Sequence, residues 1–312
     1  MDRRDANSER LRCSRSVLGF GSVGRLTALG LALCFAWSFA AYGQDHPAGE
    51  TAVGSRGSEL ALLKQRQPAL LQSEIATLAP HRKGETDIYA IGVAGWATLD
   101  VFAKEVDGGL TAIGGVLPIK DRTIRLINHP ATIAHVPLAT LSNFQTAMHA
   151  VGKVMDRQSD ILVLFMTSHG DRKGVALQLP TRIVDLTPHD VAAAFERESI
   201  KNRVVIVSAC FSGIFVTPLR SANTIVLTAA DATHTSFGCA PERDWTYFGD
   251  AFFRQSLRPG VDFKSAYRHA RALIEGWEVM DRAPPSNPQG FFGPDLGAKL
   301  EPFLRSAHAT TQ

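Results

Sequence analysis

The run Ile161-Leu162-Val163-Leu164-Phe165-Met166 is apolar at every position. A strand with one face in water alternates apolar and polar residues. A strand that is apolar throughout is covered on both faces, as in a parallel sheet packed between helices. Val204-Val205-Ile206-Val207 and Ile225-Val226-Leu227 carry the same signature. The segments around these runs fit one architecture. Helical spacing covers residues 59–78, 99–106 and 138–155. Pro188 to Ser199 is a further helix, with Thr187 placed to cap it and Pro188 in its first turn. Strand patterns cover residues 87–93, 122–127, 175–179 and 183–186. Two long helices, 245–257 and 263–280, are expected to close the chain, with Pro284-Pro285 stopping the second. Strands alternating with helices predict the α/β class: a three-layer α/β/α sandwich around a mostly parallel central sheet. With 312 residues, 45% of them hydrophobic, there is enough apolar material for one such core, placed at residues 59–312 as a single domain.

The amino-terminal segment reads differently. Residues 1–43 hold six arginines against Asp2, Asp5 and Glu9, which accounts for the whole formal charge of +3. The remaining body is neutral and has no electrostatic footprint for nucleic acid. After Arg25, residues 26–43 run without a charge and end in Ala40-Ala41-Tyr42-Gly43. This pattern reads as a signal peptide or N-terminal membrane anchor, followed by a polar linker at 44–58. Positive charge ahead of the apolar run keeps the amino terminus inside and sends the body across. The expected location is therefore exported: periplasmic, or anchored in the inner membrane through residues 26–43 and facing the periplasm. Cys13 and Cys34 fall in this segment, and Cys210 and Cys239 in the body. That is no disulfide framework, though one bridge between Cys210 and Cys239 stays open in an oxidising compartment.

Open α/β sheets bind ligands beyond the carboxyl ends of their strands. Beyond the first apolar run stands Thr167-Ser168-His169-Gly170, and beyond the second Ser208-Ala209-Cys210-Phe211-Ser212-Gly213. If these strands are neighbours joined by a right-handed crossover, His169 and Cys210 rise from one edge. A thiolate is a strong nucleophile, and an adjacent imidazole activates it and later protonates the leaving amine. Glycines beside each residue let a substrate backbone come close. The N–H groups of Gly170 and Cys210 are the expected donors to an oxyanion. Either side chain alone is more often structural, a small buried thiol or a satisfied histidine. Their pairing on successive buried strands is what points to catalysis.

Other signals fall away. Gly19-x-Gly21-x-x-Gly24 has no strand before it. His129 and His135 have no third ligand in view. There is no G-x-S-x-G elbow and no phosphate loop in the body. No metal and no cofactor is expected. Tyr267, Ala270, Leu273, Ile274 and Trp277 share one helix face and read as a core stripe.

The motifs recur in a familiar order: His169-Gly170, Ala209-Cys210, Thr228-Ala229-Ala230, Thr235-Ser236-Phe237-Gly238-Cys239 and Thr246-Tyr247-Phe248-Gly249-Asp250, with Gly92-Val93-Ala94-Gly95 upstream. This set resembles the legumain (hemoglobinase) family within the caspase-like cysteine peptidases, and among these the bacterial members with signal peptides. The resemblance covers roughly residues 87–280. It implies a caspase-like fold, a protein or peptide substrate, and an endopeptidase working through a Cys210–His169 dyad and a thioacyl-enzyme. It places Asp250 and Ser236 in the S1 pocket, with Ser208 beside them, and Cys239 as a buried or pocket-wall residue. Two departures bear on specificity. The family carries an acidic residue two positions before the nucleophile, where this chain has Ser208. It also carries an Asn and an Arg-His pair after the first strand, where this chain has Gly95-Trp96-Ala97-Thr98. Asp250 is then expected to lack its basic counterpart. Asparagine specificity is not implied, and an amide or a cation at P1 is expected instead. A transpeptidase would use the same acyl-enzyme. The competing reading is a non-catalytic caspase-fold module that binds peptides or partners. The sequence says nothing of the oligomeric state.

Overall fold

Residues 65–309 are described by a computed structural model. The expected leader, the linker and the start of the first expected helix lie outside the described residues, and that helix continues over 65–76. Strand β3 (Ile161–Thr167) explains its own composition. Ile161, Val163 and Phe165 point into one core, and Leu162, Leu164 and Met166 into another. β1 (Ile88–Ala94), β6 (Asn202–Ser208) and β7 (Thr224–Thr228) divide their residues in the same way. Helices Asp100–Gly114, Phe263–Met280 and Pro294–Ala309 cover the first face. Helices 65–76, Leu141–Val154 and Pro188–Arg197 cover the second. The expected three-layer sandwich is therefore what forms. Each large side chain withdrawn from water at these faces contributes about 1.5–3 kcal/mol.

The main sheet has the order β2-β1-β3-β6-β7-β8, where β2 is Thr123–Ile127 and β8 is Gly290–Phe292. All its pairings are parallel except β7 with β8. β4 (Val175–Leu179) and β5 (Arg182–Leu186) form a separate antiparallel pair. The edge strand β2 is blunted. The Arg125 N–H donates to Glu74 Oε2 at 3.1 Å, and the Ile127 N–H to the Pro137 carbonyl at 2.9 Å. Thr187 caps its helix as expected, in a reciprocal capping box with Asp190. No helix among the described residues is long and apolar enough to cross a membrane.

Three elements depart from expectation, each for a physical reason. The helix expected to end at Val106 runs on to Gly114, through Gly108-Gly109. A Cβ at Gly108 would meet the Trp245 ring at 2.5 Å, and one at Gly109 the Phe165 ring at 2.7 Å. Close packing against two aromatic rings overrides the low helix propensity of glycine. The helix expected over 245–257 is one turn, Tyr247–Gly249, that opens into a π-helical segment, Asp250–Ser256. The wider turn lets Ala251, Phe252 and Phe253 all enter the core. Helix Phe263–Met280 does not close the chain. β8 and helix Pro294–Ala309 follow it, the strand too short to show a period and the helix announced only by Pro294 in its first turn.

The amino ends of the central strands are held by charge. Asp87 precedes β1 and Asp160 precedes β3, both fully buried. Asp160 accepts the Asp87 and Asp156 N–H groups at 2.8 Å each. Asp87 takes the Arg82 guanidinium at 2.7 and 2.9 Å and pairs with Arg122 at 3.2 Å. His81, Asp87 and Asp160 lie close enough together to suggest a metal site. Two arginines and three backbone N–H groups, those of Arg82, Asp87 and Asp156, already occupy these carboxylates, so the cluster reads as an ion-pair network.

Candidate active site

β3 and β6 are adjacent and parallel, and their last paired residues are Thr167 and Ser208. His169 and Cys210 each lie two residues further on. The expected juxtaposition therefore follows from register, and both residues line one narrow cleft with Phe102, Ser236 and Thr246. The last ladder bond is Ser168 N–H to the Ser208 carbonyl, already stretched to 3.3 Å. The next rung would carry the Cys210 N–H to the Ser168 carbonyl, and it is not made. Among the described residues, neither the Cys210 nor the Gly170 N–H has an acceptor on another residue. Splaying strand ends thus leave two donors beside the thiol.

His169 is buried between two rings, Trp96 at 4.6 Å and Phe102 at 5.2 Å between centroids, both edge-on. Trp96 belongs to the loop after β1, which β4 ties down. The Gln178 carboxamide oxygen accepts the Ala97 and Thr98 N–H groups at 2.9 and 3.2 Å, and the Gln178 N–H donates to the Gly95 carbonyl at 2.7 Å. The backbone after His169 returns on itself, with the Ala176 N–H donating to the His169 carbonyl at 2.8 Å. Gly170 is required there. A Cβ at this position would lie 2.4 Å from the Cys210 carbonyl oxygen, so the two loops touch back to back.

Cys210 is a free thiol, so no bridge joins it to Cys239, which is buried in the same cleft wall. Its sulfur accepts the Ser236 N–H at 3.3 Å and lies 3.6 Å from the Ser236 carbonyl oxygen. The residue is partly exposed, yet dense surroundings push its thiol up to about 11 against those N–H contacts. The resting group is therefore a neutral thiol that needs a base. Phe211 follows in the left-handed region, at φ 56°, and turns the chain sharply away so that Cys210 stands at an apex. Its N–H donates to the His234 carbonyl at 2.9 Å. Asp231 shapes that neighbouring loop by accepting the Thr233 and His234 N–H groups at 2.7 and 2.9 Å.

The pocket residues divide. Ser236 and Ser208 line the cleft with Cys210 and His169. Asp250 does not appear in its walls. Its carboxylate is taken by Arg254 at 2.8 and 3.1 Å and by the Gln255 amide at 2.8 Å. The expectation of an unbalanced Asp250 is therefore corrected: the counter-charge stands one turn further along its own helix. A different acid lies behind the cleft. Glu105 is fully buried, and it accepts hydroxyl hydrogen bonds from Thr167, from Thr246 at 2.6 Å and from Ser208 at 3.3 Å. Burial pushes its carboxyl up to about 7, against the pull of those hydroxyls. Trp96, Phe102 and Glu105 were not among the residues singled out from sequence.

A parallel sheet whose adjacent strands end in a histidine and a free cysteine, with unclaimed N–H groups beside the sulfur, has the layout of a thiol-dependent acyl-transfer site. The chain belongs to the Peptidase C13 family, whose model matches residues 134–290, half of the chain and both site loops. The family is one of cysteine peptidases of the legumain type. No curated protein matches the chain by sequence. Similar solved structures include caspase-1 from Spodoptera frugiperda, at 11% identity over 69% of this chain and 93% of that one, with a TM-score of 0.47. Pro-sf-caspase-1 (11% identity, 68% and 90% covered, TM-score 0.45) and drICE (9% identity, 67% and 89% covered, TM-score 0.41) are also similar.

Proposed function

We propose that the chain is a cysteine endopeptidase in which Cys210 is the nucleophile and His169 its base. The observation that carries this reading is the shared register of the two residues at the edge of β3 and β6. His169 takes the thiol proton as Sγ attacks the scissile carbonyl carbon. The carbonyl oxygen becomes an oxyanion, met by the Gly170 and Cys210 N–H groups. Collapse breaks the C–N bond, and His169 returns the proton to the departing amine. A water then attacks the thioester with His169 as base, releasing the acid and restoring the thiol. A second amine in place of that water makes the same site a transpeptidase.

Among the described residues, the cleft walls offer Ser168, Ser208, Ser236 and Thr246 and no lysine or arginine. This favours a P1 side chain that donates hydrogen bonds, an amide or a cation, over an acidic one. A P1-scanning peptide library is expected to show turnover after such residues, and turnover only after Asp would refute the preference. One observation keeps a second reading alive. The thiol is held protonated in a narrow cleft, which suits a non-catalytic peptide-binding module. The leader expected at residues 1–43 would make this an exported activity, periplasmic or tethered to the inner membrane.

A further inference from the structure

Glu105 ties together the parts of the site that must stay in place. Its three partners come from three elements. Thr167 ends β3, two residues before His169. Ser208 ends β6, two residues before Cys210. Thr246 caps the turn Tyr247–Gly249 by accepting the Gly249 N–H at 3.0 Å. Ser208 and Thr246 also line the cleft, with their hydroxyl oxygens 3.0 Å apart. The turn packs directly on the carboxyl, since a Cβ at Gly249 would lie 1.8 Å from Glu105 Oε1. Among the described residues, no cation lies within ion-pair distance of it. Lys104, next to it on the helix, is tied to Asp100 and Asp244, and Asp250 beyond the turn is tied to Arg254. The other titratable groups near these ends are His169, Cys210, Asp171, whose carboxylate accepts the Lys173 and Gly174 N–H groups at 2.8 and 3.3 Å, and Tyr247 on the turn itself.

An ionised carboxylate only accepts, so all three hydroxyls can turn their protons toward it. A protonated carboxyl must donate one hydrogen bond, so one hydroxyl has to turn away. We propose that Glu105 is a positioning residue of the peptidase site, whose ionised carboxylate gathers the ends of β3 and β6 and the Thr246 turn and leaves acceptor oxygens of Ser208 and Thr246 facing the substrate. This rests on the peptidase reading and supplies what Asp250 does not, an acid behind the pocket. With its carboxyl pushed up to about 7 by burial, the cage rearranges near neutral pH.

The test compares the full chain with Glu105→Gln. At pH 8 the variant is expected to lose at least tenfold in kcat/KM. Melting gives a readout independent of turnover. The native-state pKa is raised, so the wild type loses stability relative to Glu105→Gln as pH rises from about 4.5 through about 7. The melting difference is expected to shift by roughly 5–10 °C over that window and to be flat beyond it. A constant offset, or equal kcat/KM at pH 8, overturns the proposal while the peptidase reading stands. A wild type that neither cleaves peptides nor labels at Cys210 sinks that reading and the positioning role with it. Should Glu105→Gln not fold, Ser208→Ala removes one donor and takes its place with the same kcat/KM readout.

Discussion

Cys210→Ala is expected to lower kcat by at least about 10⁴-fold while leaving the melting temperature within a few degrees of the wild type. Removing the nucleophile of a covalent mechanism leaves only binding and oxyanion stabilisation. The structural cost is small because the residue is partly exposed and its sulfur makes one weak contact pair with Ser236. A peptide hydrolysis assay beside a melting curve checks both halves. His169→Ala is expected to match it in rate but to cost more stability, because the ring fills the space between Trp96 and Phe102. Retention of more than a few per cent of turnover in Cys210→Ala would show that the chemistry lies elsewhere.

Asp87→Ala is expected to have the opposite signature, a folding defect with an intact site. Its carboxylate is buried and answers Arg82 and Arg122 at the amino end of β1, the far end of the sheet from His169. Removing it leaves Arg122, itself largely buried, without its partner. Breaking a buried pair in this way costs about 3–5 kcal/mol. For a chain of this size that is roughly 10 °C in melting temperature. Burial alone would raise the Asp87 pKa, but the Arg82 side chain and backbone and the Arg122 charge outweigh it, and the group is held low. A depressed carboxylate contributes stability above its unfolded pKa and loses it as pH falls through the folded value. The gap between wild type and variant is therefore full at neutral pH and closes in acid. Calorimetry at pH 7 and in acid measures it, and equal melting temperatures at pH 7 would contradict the account.

The sheet was legible because burial on both faces leaves a mark that no local propensity can hide. Ile161–Met166 and Val204–Val207 showed where strands end, and hence where side chains meet. His169 and Cys210 follow from that, since one register step would have separated them. Glu105 was not legible. A lone acid in a helix reads as a solvated residue, and only the packing of Thr167, Ser208 and Thr246 around it shows otherwise. Trp96 and Phe102 were hidden in the same way, as an ordinary loop aromatic and an ordinary helix hydrophobe. The pairing of Asp250 with Arg254 could have been read from their spacing of four. The family resemblance instead points to the loop after β1 for the basic partner, far from this helix in sequence. β8 left no periodic trace in three residues.

The central claim is that Cys210 is activated by His169 for attack on a peptide carbonyl. The most direct measurement is covalent trapping of the reduced, folded chain at neutral pH by a peptide carrying an electrophilic carbonyl-derived group at P1. Peptide-mapping mass spectrometry then locates the adduct. The account predicts one adduct per chain, on Cys210, lost in Cys210→Ala and strongly slowed in His169→Ala. No labelling of the wild type, or labelling that is indifferent to His169, would contradict it and favour the binding module.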